Sequence, residues 1–415
     1  MSDSDFRAVI DALSVTGPVR PRAVEPVHRV AVLGAGAVGR LLACEALAAG
    51  LEVRLHSVFG QELSDLRTSG AITVRGVHLV GTYAVGDAGS GSAVRPAIEL
   101  TASVDDAVAG ADVVFVVTPA SAHPTYAGVL AGSLGDDHLV VLVPGRFLGS
   151  LALHQELRRH HCRGSVTVAE LAAAPYVAAL DGATITVHGV TREVDLSALP
   201  VDAAEPVVDR LAPLLPMLRP VDSPLVTAFG GVTGVLGAAP LLTNTALVEG
   251  AKGDGVLLRD LVPTGLSRTL LRDLDDERLE VAFHYGVRDL PSTADWLRSA
   301  YDVTDEQAGP DIATALADIE MFDQVAVGGP GGPHVTDDVP YTLVPLARSG
   351  RAAGVATPAT DAVIALASCL VGDDLMSAGR NPEALGLDGV RPADTRRWLK
   401  EAAERAPGAT TWWSV

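Results

Sequence analysis

One short stretch constrains the fold of this chain more than any other. The apolar run His28-Arg29-Val30-Ala31-Val32-Leu33 leads into Gly34-Ala35-Gly36-Ala37-Val38-Gly39, and a helical pattern follows to Gly50. Strand, glycine turn and helix in that order make three separate steric demands. Gly34 permits a tight turn, Gly36 lets the backbone approach a bulky anion, and Gly39 lets helix and strand pack closely. The helix start also presents unpaired N–H groups at its positive end, which suits a pyrophosphate. Gly34, Gly36, Ala37, Val38 and Gly39 are therefore expected to bind a dinucleotide. The competing reading is a degenerate Rossmann unit that no longer binds.

The pattern continues as alternating strands and helices. Leu51–Ser57, two short strands within 71–85, the IELTAS run, 112–120 and 138–145 read as strands with helical segments between them. This order predicts an α/β fold with a doubly wound, mostly parallel sheet. A Gly/Ser loop is expected at 86–92, and 183–190 suits a sheet edge. Prolines 200, 206, 213, 216, 220 and 224 then punctuate the chain, and mostly helical patterns follow. The predicted organisation is an N-terminal extension over 1–27, a Rossmann domain over 28–220 and an all-helical substrate domain over 221–415. At 415 residues, two cores are the natural expectation.

Charge and cysteine usage narrow the function classes. A net charge of −20 argues against nucleic acid, which needs clustered Lys and Arg. No membrane is expected, because no uninterrupted apolar run reads as long enough to span one. Cys44, Cys162 and Cys369 are odd in number and far apart, so they read as small buried hydrophobes in a cytoplasmic protein. The partner is expected to be a small-molecule substrate, with a homodimer as the candidate assembly.

Coenzyme choice should be written at the end of the second strand. An Asp or Glu there would bind the adenosine ribose hydroxyls and repel a 2′-phosphate. The chain has Arg54-Leu55-His56-Ser57, with no acid at the tip. His56 and Ser57 are assigned to the cofactor, and NADP is expected over NAD, with Arg54 or Arg67 as sources of charge. Thr118 and Pro119 after the fourth strand, and Pro144 and Gly145 after the fifth, fall at the strand ends that form the ligand crevice. Arg146 beside them suits a carboxylate or phosphate, or is a surface charge.

The chain resembles the octopine/nopaline dehydrogenase family, the opine dehydrogenases, from about residue 28 to 390. The resemblance rests on AGAVG, VLVPGRF, VAEL followed by PY at 168–176, APLLTNTALVE at 239–249, DDVPYTLVPLARSGRAAGVATPATDAVIALAS at 337–368 and GRNPEALGL at 379–387. It implies an NAD(P)H-dependent reductase of the C=N bond formed from an amino acid and a 2-oxo acid. It also implies a catalytic His and Asp. Asp338 matches the Asp, but aligning Pro240 and Asn244 puts Gly237 where the His belongs. His334, four residues before Asp338, is the expected substitute; His123 and His284 are weaker ones. Glu170 and Asn244 match family positions and suit structural hydrogen bonds equally well.

On this reading the vacated position favours a C=N substrate over a simple oxo acid, because reducing a carbonyl needs a proton donor. Restoring the imidazole with Gly237→His is expected to raise ordinary opine-forming activity. Two alternatives stay open. One is a ketopantoate-reductase-like oxo-acid reductase, for which Lys252 and Lys400 are the only lysines to supply an acid. The other is a dinucleotide-binding protein without turnover.

Overall fold

The computed structural model describes residues 26–87, 96–136, 138–251, 256–262, 265–303, 311–329 and 331–404. Most of the expected N-terminal extension, most of the 86–92 loop and Lys252 lie outside the described residues.

Among the described residues, twelve strands form one sheet. In chain order they are β1 (Arg29–Leu33), β2 (Glu52–His56), β3 (Ala71–Gly76), β4 (Gly81–Asp87), β5 (Ile98–Thr101) and β6 (Val113–Val116). They continue with β7 (Leu139–Leu142), β8 (Thr167–Leu171), β9 (Tyr176–Asp181), β10 (Thr184–Val190), β11 (Val194–Leu199) and β12 (Leu218–Pro220). Their spatial order is β12-β11-β8-β7-β6-β1-β2-β5-β4-β3-β10-β9. The seven strands from β8 to β4 run parallel, and β1 lies between β2 and β6. The chain leaves β1 in one direction along the sheet and later returns to its other side. That reversal opens a crevice at the carboxyl ends of β1 and β6.

The central strands are buried on both faces, which explains their continuous Val/Leu/Ala runs. One face packs against helix α1 (Ala37–Ala48) through Leu41, Leu42 and Ala46. The other packs against α3 (His123–Ser133), which follows α2 (Gly60–Ser69), through Tyr126, Ala127 and Leu130. The stretch 183–190 forms β10, which is flanked by β3 and β9, so β9 supplies the edge instead.

Beyond Pro220 the chain is mainly helical, as expected, and adds a two-residue antiparallel ribbon pairing Val256–Leu257 with Ala326–Val327. Its core gathers around the long helix α5 (Gly265–His284), with α6 (Val344–Ala353) and α7 (Pro358–Val371) against it. Phe147, Leu148 and Leu151 join that same core from the turn after β7 and the start of α4 (Gly149–Arg159).

Two sequence expectations need correction. Pro224–Thr243 is long and apolar enough to cross a membrane by length and composition. Most of that stretch is buried within the protein, and it is broken near Gly231 and Gly237 into three short helices. The thiols also differ in setting, for Cys44 is buried but Cys369 is exposed.

Candidate active site

The glycine turn has the steric logic that its sequence implies. Gly34 has φ +119°, and a Cβ there would collide with the Val117 carbonyl. Its N–H donates to the His56 carbonyl at 2.9 Å, which holds the turn against β2. A Cβ on Gly39 would strike the Gly34 carbonyl, so the third glycine sets how closely α1 approaches β1. Among the described residues, a Cβ at Gly36 would meet nothing within 4 Å, and no side chain caps α1. Ala37, Val38 and Gly39 therefore begin a helix whose N-terminus opens onto free space. Beside this turn, Thr118 keeps a buried hydroxyl with no partner among the described residues. An open anion cradle and an orphaned hydroxyl at the crevice fit a nicotinamide dinucleotide.

The end of β2 differs from its expected form. The His56 ring is 1% exposed, bonds the Thr101 carbonyl at 3.2 Å and meets Tyr126 edge-on. It faces the core, not the crevice. Ser57 sits at the tip, accepts from the Phe59 N–H and donates to Glu62 at 2.5 Å. Neither expected cation is free to act there. Arg54 pairs with Glu99 and donates to the Asp106 and Ala109 carbonyls, while Arg67 pairs with Asp87.

Beyond β6 and β7, two loops meet a segment from the helical half. Arg146 adopts a left-handed conformation with φ +62°, uncommon for a residue with a side chain. Its guanidinium reaches Asp338 at 2.7 Å, Asp337 at 3.1 Å and the Thr233 hydroxyl at 2.5 Å. It is thus no surface charge. Asp337, which the sequence reading passed over, also accepts the Ala120 N–H at 2.7 Å and so ties the Thr118-Pro119 loop to this segment. Burial raises the Asp337 carboxyl above its usual range, and Arg146 opposes that rise. Pro144 follows a cis bond. Gly145 owes its identity to Glu170, since a Cβ at 145 would press into that side chain.

The segment itself is wound unusually. Val339–Leu343 forms a single π-turn, in which Val344 N–H bonds the Val339 carbonyl. The carbonyl of Pro340 is thereby released, and it accepts the Arg380 N–H at 2.8 Å. Pro345 has no N–H to offer Tyr341, whose carbonyl instead accepts the Phe147 N–H at 3.1 Å.

Asp338 is 1% exposed and lies in this junction, with His334 Nδ1 at 2.9 Å from its Oδ2. The imidazole remains 40% exposed. Gly237 faces the same pair, for a Cβ there would lie 2.5 Å from His334 Nδ1 and 2.8 Å from Asp338 Oδ2. The expected histidine position and the expected substitute thus converge on one spot. The other candidates do not join them. Burial depresses His123 to a pKa of about 3, His284 faces solvent beside Glu280, and Asn244 is spent on the Pro240 and Leu261 carbonyls. Glu170 is fully buried and accepts from Ser150 N–H and the Thr227 hydroxyl, a structural role. Among the described residues no group of His, Cys, Asp and Glu is arranged to hold a metal.

A doubly wound sheet with this glycine turn is joined to a helical half that carries a His–Asp pair. The family model for the alpha-helical domain of NAD/NADP octopine/nopaline dehydrogenase matches residues 220–371. The chain is 29% identical over 373 residues to an opine dehydrogenase of Arthrobacter sp. (strain 1C), covering 88% of this chain and 97% of that protein. Octopine dehydrogenase in complex with NADH and agmatine superposes with a TM-score of 0.67 at 20% identity, covering 88% of this chain and 98% of its own. NADP+-bound yersinopine dehydrogenase superposes with a TM-score of 0.63 at 14% identity, covering 91% and 99%. Over most of its length the chain is thus similar to opine dehydrogenases, which indicates an NAD(P)-dependent oxidoreductase.

Proposed function

We propose that this protein reduces a C=N bond in an amino-acid-derived imine or iminium, with NAD(P)H bound across the Gly34–Gly39 turn and the crevice. The observation that carries the reading is the His334–Asp338 pair, 2.9 Å apart and facing Gly237. When bound, the nicotinamide supplies a hydride. The rest of the work falls to side chains. Asp338 accepts from the imidazole and fixes its orientation and tautomer, while Arg146 holds the carboxylate in place. His334 Nε2 is then the atom that gives and takes the proton, because Nδ1 is engaged with Asp338. A proton donor there serves condensation of an amine with a 2-oxo acid, which must lose water before hydride arrives. Asp338 also offers negative charge to an iminium, which hydride transfer discharges.

In this proposal residues 28–220 serve as the nucleotide-binding unit and 221–415 as the substrate unit. The test is NAD(P)H oxidation with amino acids and 2-oxo acids, offered singly and in pairs, and with preformed cyclic imines. Turnover that requires both components of a pair, or a preformed imine, supports C=N reduction. Rapid oxidation with the oxo acid alone refutes it and favours the ketopantoate-reductase-like alternative.

A further inference from the structure

We propose that Glu62, reaching back from α2 to the end of β2, makes this protein select NADH over NADPH. The inference rests on the dinucleotide reading of the glycine turn and is independent of the reaction proposed above. In a Rossmann unit the adenosine ribose lies over the carboxyl end of the second strand, and an acidic group there takes its 2′- and 3′-hydroxyls. The strand itself ends without one. Glu62 stands in the first turn of α2, and its Oε2 accepts the Ser57 hydroxyl at 2.5 Å. Ser57 is 3% exposed and held by the Phe59 N–H, so the carboxylate is moored at the strand end. Its charge is felt by Arg40 on α1 and by Tyr126 on α3, the helices that flank the crevice on either face of the sheet.

The nearby cations are committed elsewhere. Arg40 is 3% exposed and donates to the Ala35 and Gly182 carbonyls. Arg54 and Arg67 are held by Glu99 and Asp87. A 2′-phosphate would therefore meet a carboxylate without a matching cation from these three. Val58 and Phe59, between Ser57 and Glu62, are 62% and 66% exposed. They leave an apolar face beside the carboxylate, of the kind an adenine ring covers.

The test is titration of the intact protein with NADH and NADPH, followed by nucleotide fluorescence without any substrate. Wild type is expected to bind NADH at least about tenfold more tightly, the scale of like-charge repulsion near a surface. Glu62→Gln should bring the two affinities toward parity, and Glu62→Arg should reverse their order. The proposal is overturned if wild type prefers NADPH, or if Glu62→Gln leaves the ratio unchanged. Failure of both nucleotides to bind would overturn it at an earlier step, by removing the dinucleotide reading itself.

Discussion

Gly237 and His334 make a sharp test of the proposed catalytic pair, because a side chain at 237 would occupy the space of the imidazole. A methyl group at 237 would stand 2.5 Å from His334 Nδ1, closer than real Cβ contacts come, and 2.8 Å from Asp338 Oδ2. Asp338 is buried and fixed by Arg146, whereas the His334 side chain is 40% exposed and free to swing outward. The imidazole is therefore the group that yields. Gly237→Ala should behave like removal of a general acid, lowering kcat by on the order of 10²–10⁴. His334→Ala should cost a similar factor. The decisive variant is the double substitution, Gly237→Ala with His334→Ala. If the first change acts only by expelling the imidazole, the double variant loses no more than either single one. Nucleotide affinity, measured in parallel, should stay unchanged throughout. Gly237→His alone should likewise fail to raise activity, contrary to the sequence-based expectation, because two imidazoles then compete for one site. Moving the ring, with Gly237→His and His334→Gly together, should recover part of the lost rate. Full activity of Gly237→Ala, or losses that multiply in the double variant, would refute the reasoning.

Other outcomes follow from the same geometry. Gly36→Asp should abolish nucleotide binding while circular dichroism stays native, because the added carboxylate fills empty space at the helix N-terminus and opposes an anion there. Asp338→Asn should lower kcat by at least about 10² with little change in nucleotide affinity, since it leaves His334 without its charged partner. Burial raises the Glu170 carboxyl above its usual range. The folded state thus holds this proton more tightly than the unfolded one, so the contribution is present at low pH and lost as pH rises through the folded value. In urea titrations from pH 4 upward, Glu170→Gln should show a flatter decline with pH than wild type; parallel curves would show that Glu170 does not drive the decline.

The sequence showed most readily what depends on neighbours along the chain. The glycine turn, the central strands and the long helices α5 and α7 could all be read because periodicity and steric demand act within a few residues. The site resisted such reading wherever it is tertiary. Nothing local reveals that His334 faces Gly237, nearly a hundred residues earlier, or that Arg146 holds Asp337 and Asp338 together. His56 looked available because it ends a strand, but alternation turned its ring toward Tyr126. Glu62 was missed for a simpler reason. An acid is ordinarily expected at the strand tip itself, whereas this carboxylate comes from the first turn of the following helix.

The π-turn at Val339–Leu343 decides which part of the molecule Asp338 belongs to. Its freed carbonyls are main-chain acceptors for Phe147 and Arg380, and Asp337 adds the Ala120 N–H. Covalently Asp338 is a residue of the helical half, but mechanically it is clamped to the loops that leave β6 and β7. Any breathing of the cleft that spares these bonds keeps the carboxylate in register with the nucleotide crevice. On the proposed reaction, reactants of different bulk would all meet a carboxylate held by the nucleotide-side loops rather than by the helical half alone.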